Sequence, residues 1–202
     1  MNVLIVVVIV AIAIILLITI SNIIDDDLID YNQSEIEAAG RNGERIATDV
    51  IRGVIRETDC LLTNVNISYD GRNAELDNVI INKYGVFIIE VKYYTGKLYG
   101  TEDSSVWEKV RYNGYRKGIG KSVKNPIKQV RRQTYLLAKY LNYYGVSIWV
   151  EGYVYLVNRN SPIRCKYILE TTTDIDKAIH TFDKNRLNKK TVERAKYILS
   201  PD

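Results

Sequence analysis

The chain has 202 residues, 47% of them hydrophobic, which suffices for one globular domain of ordinary size and a segment outside its core. The only cysteines, Cys60 and Cys165, form no Cys-x-x-Cys pair, and His180 is the sole histidine, which disfavours a disulfide framework or a structural zinc site. Residues 1–40 carry six acidic side chains and no Lys or Arg, so 28 basic side chains face 18 acidic ones in the remainder. That excess favours a polyanionic partner such as nucleic acid.

Residues 1–21 predict a transmembrane helix. The first twenty, MNVLIVVVIVAIAIILLITI, carry no charged side chain, and at about 1.5 Å per residue they span roughly the 30 Å of a hydrocarbon core. A cleaved secretory signal is the alternative, but no Lys or Arg precedes the run and no A-x-A-like site follows it. We therefore expect a single-pass membrane anchor followed by an acidic linker over residues 22–34. The side of the membrane stays open, because no basic residue flanks the segment.

Residues 35–202 predict one α/β domain with a central mixed β-sheet flanked by helices. Apolar residues recur near helical spacing from about residue 35 to residue 57, which predicts a first helix. A strand is expected over residues 61–69, followed by a turn at Asp70 and Gly71. Two alternating apolar runs then flank residues 82–85 and predict a β-hairpin.

The second half of the domain predicts fewer regular elements. A short strand is expected around residues 96–100, and residues 103–124 predict a basic loop with Trp107 embedded in it. Pro126 opens a predicted helix that ends before Gly145. Residues 146–158 alternate as a strand. From about Asp174 onward we expect one short helix and a longer one over residues 189–199.

The hairpin register predicts a cluster of three charged residues. If the turn centres between Lys83 and Tyr84, Asp77 lies opposite Glu90 with Cβ atoms about 4.5–5.5 Å apart. Lys92 shares their face, because side chains two apart on a strand point the same way. Two carboxylates among apolar neighbours raise each other's proton affinity, and a divalent cation such as Mg²⁺ would resolve that conflict. A solvated cluster of surface charges is the alternative that this geometry leaves open.

A basic stretch follows the hairpin. Nine basic residues and no acidic one lie between Lys109 and Gln133, and tyrosines are interleaved with them. Such a stretch suits contact with a phosphate backbone, with tyrosines stacking on unpaired bases. A solvated loop and helix face is the alternative. The candidate nucleic-acid-binding residues are Lys121, Lys124, Lys128, Arg131 and Arg132.

The ordered motifs resemble a known family. Asp77 followed by Glu90-Val91-Lys92 at the end of an apolar strand is similar to the PD-(D/E)xK nuclease core, although Leu76 replaces the proline of the literal motif. GER at 43–45, ELDNVIIN, KYGVFIIEVKYYTGKLYG, Trp107 and NPIKQV at 125–130 together resemble the NERD (nuclease-related) domain over about residues 35–157. The resemblance implies a restriction-endonuclease-like core that hydrolyses phosphodiester bonds in DNA or RNA with Mg²⁺ or Mn²⁺. It also agrees with an apolar N-terminal segment.

The same resemblance implies a role for each matching residue. Asp77 and Glu90 would bind the metal, with the backbone carbonyl of Val91 as a further ligand, and Lys92 would be the catalytic lysine. Two residues outside the hairpin complete the implied catalytic set: Glu44, which would assist the metal, and Gln129, which would position water or phosphate. The alternative function is a catalytically weak nucleic-acid-binding module or a membrane-associated interaction module on the same fold.

Overall fold

The computed structural model of the chain describes residues 37–112, 118–181 and 186–200. The predicted transmembrane helix and acidic linker therefore lie outside the described residues. Within the described ranges, no helix combines the length and the hydrophobicity that crossing a bilayer requires. The chain divides into two compact units, residues 1–41 and residues 42–202, and all described strands belong to the second unit.

The described residues form four helices and eight strands. The first helix, α1, covers residues 37–52. The other elements, in chain order, are β1 Cys60–Tyr69, β2 Arg72–Asn82, β3 Gly85–Lys92, β4 Lys97–Tyr99, β5 Val106–Tyr112, β6 Gly118–Lys124, α2 Pro126–Tyr143, β7 Val150–Leu156, β8 Ile168–Leu169, α3 Thr172–His180 and α4 Lys189–Leu199. The predicted helices in the second half are confirmed. The first helix ends at residue 52 rather than 57, because Gly53 follows and glycine commonly terminates helices.

Five strands form the central sheet in the order β1-β2-β3-β7-β8. Strands β1, β2 and β3 are antiparallel, whereas β3, β7 and β8 run parallel, so the predicted mixed sheet is confirmed. Asp70 and Gly71 join β1 to β2 with φ angles of 51° and 69°, as a two-residue hairpin turn requires. The β2–β3 hairpin pairs Asn82 with Gly85, which confirms the predicted position of its turn.

Helices cover both faces of this sheet, which explains why its central strands are almost continuously apolar. On one face the buried strand residues Val79, Val86 and Ile88 pack in one core with Ile127, Val130 and Leu137 of α2. On the other face, Ile80, Phe87 and Ile89 pack with Ala47 and Ile51 of α1 and with Ile175 and Ile179 of α3. Helix α2 approaches β7 closely at Gly152, where a Cβ atom would collide with the Thr134 hydroxyl and with Val130.

A second sheet, β4-β5-β6, occupies the stretch for which a basic loop was predicted. That prediction was wrong for residues 106–112 and 118–124, which form β5 and β6. Trp107 in β5 is fully buried, and its indole N–H donates to the carbonyl of Thr101 at 2.9 Å. Its partner strand β6 contains Gly118 and Gly120 among lysines, a composition with low strand propensity. Burial of the tryptophan therefore stabilises strands that local sequence preference does not indicate.

Candidate active site

Strands β2 and β3 stop pairing immediately before Asp77. Their register runs from the turn to Asn78↔Ile89 and ends there. Instead of continuing it, Asp77 uses its Oδ2 atom to accept a hydrogen bond from the backbone N–H of Val91 at 2.7 Å. The carboxylate thus takes the place of a backbone acceptor. The direct cross-strand pairing of Asp77 with Glu90 that the hairpin predicts is therefore not formed, although the two carboxylates interact through their charges.

The alternation of side chains along β2 breaks at the same place. Val79 packs in the core beneath α2, and so does Leu76, three residues earlier instead of two or four. Across in β1, Asn64 has a φ angle of 53° and is missing from an otherwise regular register. Such local distortions of a strand pair redirect side chains and recur beside active sites. Here the irregular pairing at Asn64 occurs where the Asp77 side chain points toward β3 and accepts from Val91.

Glu90 is buried, with 2% of its surface exposed, and three side chains donate to it. Its Oε1 accepts from the ammonium of Lys92 at 2.5 Å and from Nε2 of Gln129 at 2.5 Å. Its Oε2 accepts from Nε2 of Gln133 at 2.7 Å. Burying an unpaired carboxylate costs roughly several kcal/mol. The three donors offset that cost for Glu90. Both glutamines lie on one face of α2, one turn apart.

Asn125 fixes the start of the helix that carries these glutamines. Its Oδ1 accepts from the N–H of Ile127 at 2.9 Å, which caps α2. Its Nδ2 donates to three carbonyl oxygens of the loop between β4 and β5, those of Thr101, Glu102 and Ser104. The second sheet therefore determines where α2 begins, and through α2 it positions the partners of Glu90.

Two groups of the cluster, Asp77 and Lys92, have shifted pKa values. Burial, followed by the charge of Glu90, raises the pKa of Asp77 to about 7, and Glu44 of α1 adds to the rise. The Val91 N–H and Lys92 act in the opposite direction. Burial lowers the pKa of Lys92, but its charge interaction and hydrogen bond with Glu90 outweigh burial, so that pKa lies above its usual value. Lys92 is therefore a protonated ammonium at neutral pH.

The structure brings Asp77, Glu90, Lys92 and Gln129 together. Glu44 influences Asp77 through its charge, from the helix on the other side of the sheet. Val91 contributes to the cluster through its backbone N–H, which donates to Asp77, whereas the family resemblance implies a role for its carbonyl oxygen.

The predicted nucleic-acid-binding residues lie in different places. Lys121 and Lys124 are three residues apart on β6 and so point to opposite faces of the second sheet. Lys128 is exposed on α2. Arg132 donates to the carbonyl of Asn73 at 3.4 Å.

Arg131 is turned away from the carboxylate cluster. It is paired with Glu102, and its guanidinium lies 4.4 Å from the ring centroid of Tyr167. Arg131 and Tyr167 line a cavity of about 630 Å³ along β7 and β8, to which none of the cluster residues contributes. Arg131 is thus placed apart from the cluster, and its binding of nucleic acid stays a prediction.

Gln133 belongs to the cluster but was not among the predicted site residues. Its Nε2 donates both to Glu90 and to the carbonyl of Glu75, at 2.9 Å, which sets the orientation of its amide. Its Oε1 is then buried without a hydrogen-bond partner. The one sequence signal for Gln133 was its four-residue spacing from Gln129, which places both on the same helical face.

The donor chemistry of the cluster suits a hard cation. Asp77, Glu90 and the orphaned Oε1 of Gln133 supply oxygen donors, and Mg²⁺ takes one or two carboxylates while it keeps several waters. Zinc, by contrast, prefers nitrogen and sulfur ligands in structural sites. No group of three or more His, Cys, Asp or Glu side chains within the described ranges is arranged to hold a metal ion. A cation here would therefore rely on two carboxylates, amide oxygen and water.

Comparison with known proteins places these residues in a family context. The family described as the nuclease-related domain matches residues 39–157, which include α2, the second sheet and every residue of the carboxylate cluster. An uncharacterized protein of Bacillus anthracis is 29% identical over 69 residues, which are 34% of this chain and 32% of that protein. The chain thus matches about a third of that relative's length. No solved structure gives a significant match.

Proposed function

The chain belongs to the nuclease-related domain family, and from that premise we propose that it hydrolyses phosphodiester bonds in DNA or RNA with the help of a divalent cation. The observation that carries the proposal is the buried Glu90, held by Lys92, Gln129 and Gln133 beside a second carboxylate. A buried ion pair is a poor way to stabilise a fold, so this arrangement favours a role in chemistry.

Each side chain has a proposed task. Asp77 and Glu90 hold the cation, with Gln133 Oε1 and the carbonyl of Val91 as further oxygen donors. Bound there, Mg²⁺ or Mn²⁺ supplies Lewis-acid polarisation of a phosphoryl oxygen and an activated water. Glu44 adds negative charge at this position.

Lys92 and Gln129 act on the substrate in this proposal. The raised pKa of Lys92 suits an ammonium that stabilises charge developing on phosphate, and not a general base. Gln129 exchanges its contact with Glu90 for one with water or a phosphate oxygen. The basic excess of residues 41–202 supports nucleic acid as the substrate.

We also propose that residues 1–21 anchor the protein in a membrane. The support is a run of twenty residues without charge, long enough to span a hydrocarbon core. Carbonate extraction of cell membranes tests it: the full chain should stay in the pellet, and a variant lacking residues 2–21 should be released. Release of the full chain, or loss of its N-terminal residues in the mature protein, would refute the anchor.

The test of the activity is a cleavage assay with the full chain in detergent. Single- and double-stranded DNA and RNA are incubated with Mg²⁺, Mn²⁺ or EDTA. We expect cleavage that EDTA abolishes and that Lys92→Met reduces at least 100-fold, in line with the loss of one charge-stabilising group, about 10²–10³. The matched control is Lys139→Met, since Lys139 is exposed on α2. Equal activity of the two variants would refute the proposed site.

A second candidate is a nucleic-acid-binding module with little turnover. The observation in its favour is that three protein donors already satisfy Glu90. The same preparations distinguish the two functions. Nucleic acid that binds but is not cleaved under any of the metal conditions would favour the module, whereas metal-dependent cleavage would exclude it.

A further inference from the structure

The second sheet has two chemically different faces. The pairs Trp107↔Val123 and Leu98↔Lys109 place these side chains on one face, because directly opposed residues and residues two apart share a face. Leu98 and Trp107 are buried in the core that α2 shares, and Val123 packs against it. The same face continues outward from this apolar part into Lys109.

Three cations follow on that face. Lys109 lies directly opposite Lys121, and Arg111 lies two residues further along β5. Like charges directly opposed across a strand pair destabilise a sheet. Burial, Arg111 and Lys121 hold the pKa of Lys109 below its usual value, which reports the same conflict. None of the described side chains on this face is acidic, because Glu108 points to the other face and bonds Ser122 there.

These cations border the carboxylate cluster. The ammonium of Lys109 lies 5.8 Å from the ring centroid of Tyr94, and Tyr94 in turn interacts electrostatically with Lys92 and Glu90. Arg111 donates through Nε to the hydroxyl of Thr95 at 2.7 Å. Residues 94 and 95 therefore connect the basic face to the cluster.

The connecting segment is held in place from the other side. Asn158 and Asn160 each donate to the carbonyl of Tyr94 at 2.8 Å, and Asn160 also donates to that of Gly96 at 2.8 Å. The backbone N–H of Val157 donates to the carbonyl of Lys92 at 3.2 Å. The basic face and the cluster are thus fixed to the same end of the central sheet.

We propose that Lys109, Arg111 and Lys121 form a phosphate-binding row that holds the sugar–phosphate backbone of a nucleic acid beside Lys92 and Glu90. The row rests on the proposed function, since it gives the same site its substrate. Two residues along a strand span about 6.6 Å, close to the rise of two nucleotides at about 3.4 Å each. A polyanion with regularly spaced charges relieves both repulsions, that of Lys109 with Lys121 and that of Lys109 with Arg111, whereas a single small anion relieves one.

Basic residues that are neighbours in the sequence lie on different faces of the second sheet. Lys121 belongs to the row, but Lys124 pairs with Val106 on the opposite face of the sheet, the face that carries Glu108. Lys97 pairs with Val110 and also lies on that opposite face. Lys97 is therefore a matched control, and Lys124 distinguishes the row from a general effect of positive charge.

The test measures binding without cleavage. The full chain in detergent is titrated, in EDTA, into a fluorescent single-stranded 20-mer and its duplex at 50 and 200 mM salt. Lys109→Gln and Lys121→Gln should each weaken binding by about 3- to 10-fold and reduce the slope of log K against log salt by about 0.7–0.9. Lys97→Gln should change affinity less than twofold, and Lys124→Gln should weaken binding less than Lys121→Gln does. Equal effects of Lys121→Gln and Lys124→Gln would overturn the row.

Stability provides an independent readout. Because each row variant removes a like-charge contact, Lys121→Gln should raise the urea midpoint of the free protein while it weakens binding. A variant that loses both stability and binding would indicate a structural role and contradict the proposal. Weakened binding to dihexanoyl phosphatidylserine with unchanged nucleic-acid binding would assign the face to lipid headgroups and also overturn it.

The binding and cleavage measurements distinguish a wrong phosphate-binding row from a wrong catalytic cluster. Without metal, binding is measured separately from cleavage. If the row variants lose binding while the Lys92→Met variant cleaves normally, the row stands and the proposed catalytic cluster is wrong. If Lys92→Met abolishes cleavage and the row variants bind normally, the cluster stands and the row is wrong.

Discussion

Asp77 of β2 accepts a hydrogen bond from the backbone N–H of Val91 in β3, at the residue where the two strands separate. The same carboxylate interacts with the charges of Glu90 and Lys92. One side chain therefore both closes the hairpin and completes the charged cluster. Substitution of Asp77 is therefore expected to change both the stability of the protein and the charge of the site.

Replacing Asp77 by Asn should stabilise the metal-free protein at high pH. Its pKa is about 7 in the folded protein and about 3.9 in an unfolded chain. Between these values the folded state keeps a proton that the unfolded state has released, so stability falls as pH rises from about 4 through 7.

Asp77→Asn keeps an acceptor for Val91 without the charge. In EDTA its unfolding free energy should exceed that of the natural protein by roughly 1–3 kcal/mol at pH 8, with little difference near pH 4. Urea unfolding at both pH values measures this gap, with Asp103→Asn as an exposed control. A gap of equal size at both pH values would show that the carboxyl group titrates normally.

Gln133→Leu should destabilise the protein more than Gln129→Leu. Without its Nε2, the buried Oε2 of Glu90 and the carbonyl of Glu75 lose a donor, which costs about 1–3 kcal/mol. Gln129→Leu leaves Oε1 of Glu90 with Lys92 as a partner, so its cost is smaller. Chemical denaturation at one pH compares the two. Equal losses would mean that Lys92 does not compensate for Gln129.

Gly152→Ala should disturb the packing of α2 against strand β7 of the central sheet. The added Cβ collides with the Thr134 hydroxyl and with Val130, and overpacking of this kind costs about 1–3 kcal/mol. Thr134→Ala removes one of the two obstacles, so the double variant should regain part of the loss. Gly120→Ala is the control, because its Cβ meets only a carboxylate oxygen at 3.7 Å. Strict additivity in the double variant would contradict the proposed collision.

His180→Leu should be strongly destabilising although it lies outside the cluster. The residue is 8% exposed, and its ring bridges two carboxylates, with Nε2 at 2.8 Å from Asp59 and Nδ1 at 2.6 Å from Asp176. Leucine leaves the buried Asp59 with the backbone N–H of Arg56. A buried carboxylate that loses a hydrogen-bond donor costs about 1–3 kcal/mol, and more when it is charged. Asp59→Asn in the same chain should recover part of that loss in thermal unfolding, and no recovery would argue that packing dominates.

The hairpin was predictable because local rules and tertiary structure agree there. Alternating apolar runs on either side of residues 82–85 specify both the strands and the turn, and the register follows from the turn. The second sheet was not predictable in this way. Gly118 and Gly120 disfavour a strand locally, and the burial of Trp107 in the core shared with α2 stabilises the sheet that forms there.

The candidate site was predictable in its membership more than in its geometry. Pattern and family resemblance brought Asp77, Glu90 and Lys92 together, but strict alternation misplaced Asp77. The positive φ of Asn64 marks the distortion that redirects it, and asparagine adopts that conformation without any sequence signal beyond its own identity. Gln133 was missed because its role depends on which face of α2 lies over Glu90.

The bond between Asp77 and Val91 has an evolutionary consequence. Folding alone would preserve an acceptor at position 77, since an open N–H in the middle of a sheet is costly. Glu90 has no such protection, because a buried carboxylate is hard to maintain unless it is used. On the proposed function, a descendant that abandoned catalysis would be expected to lose Glu90 first and the acceptor at position 77 last. Glu90 would then be the better marker of a family member with the proposed activity.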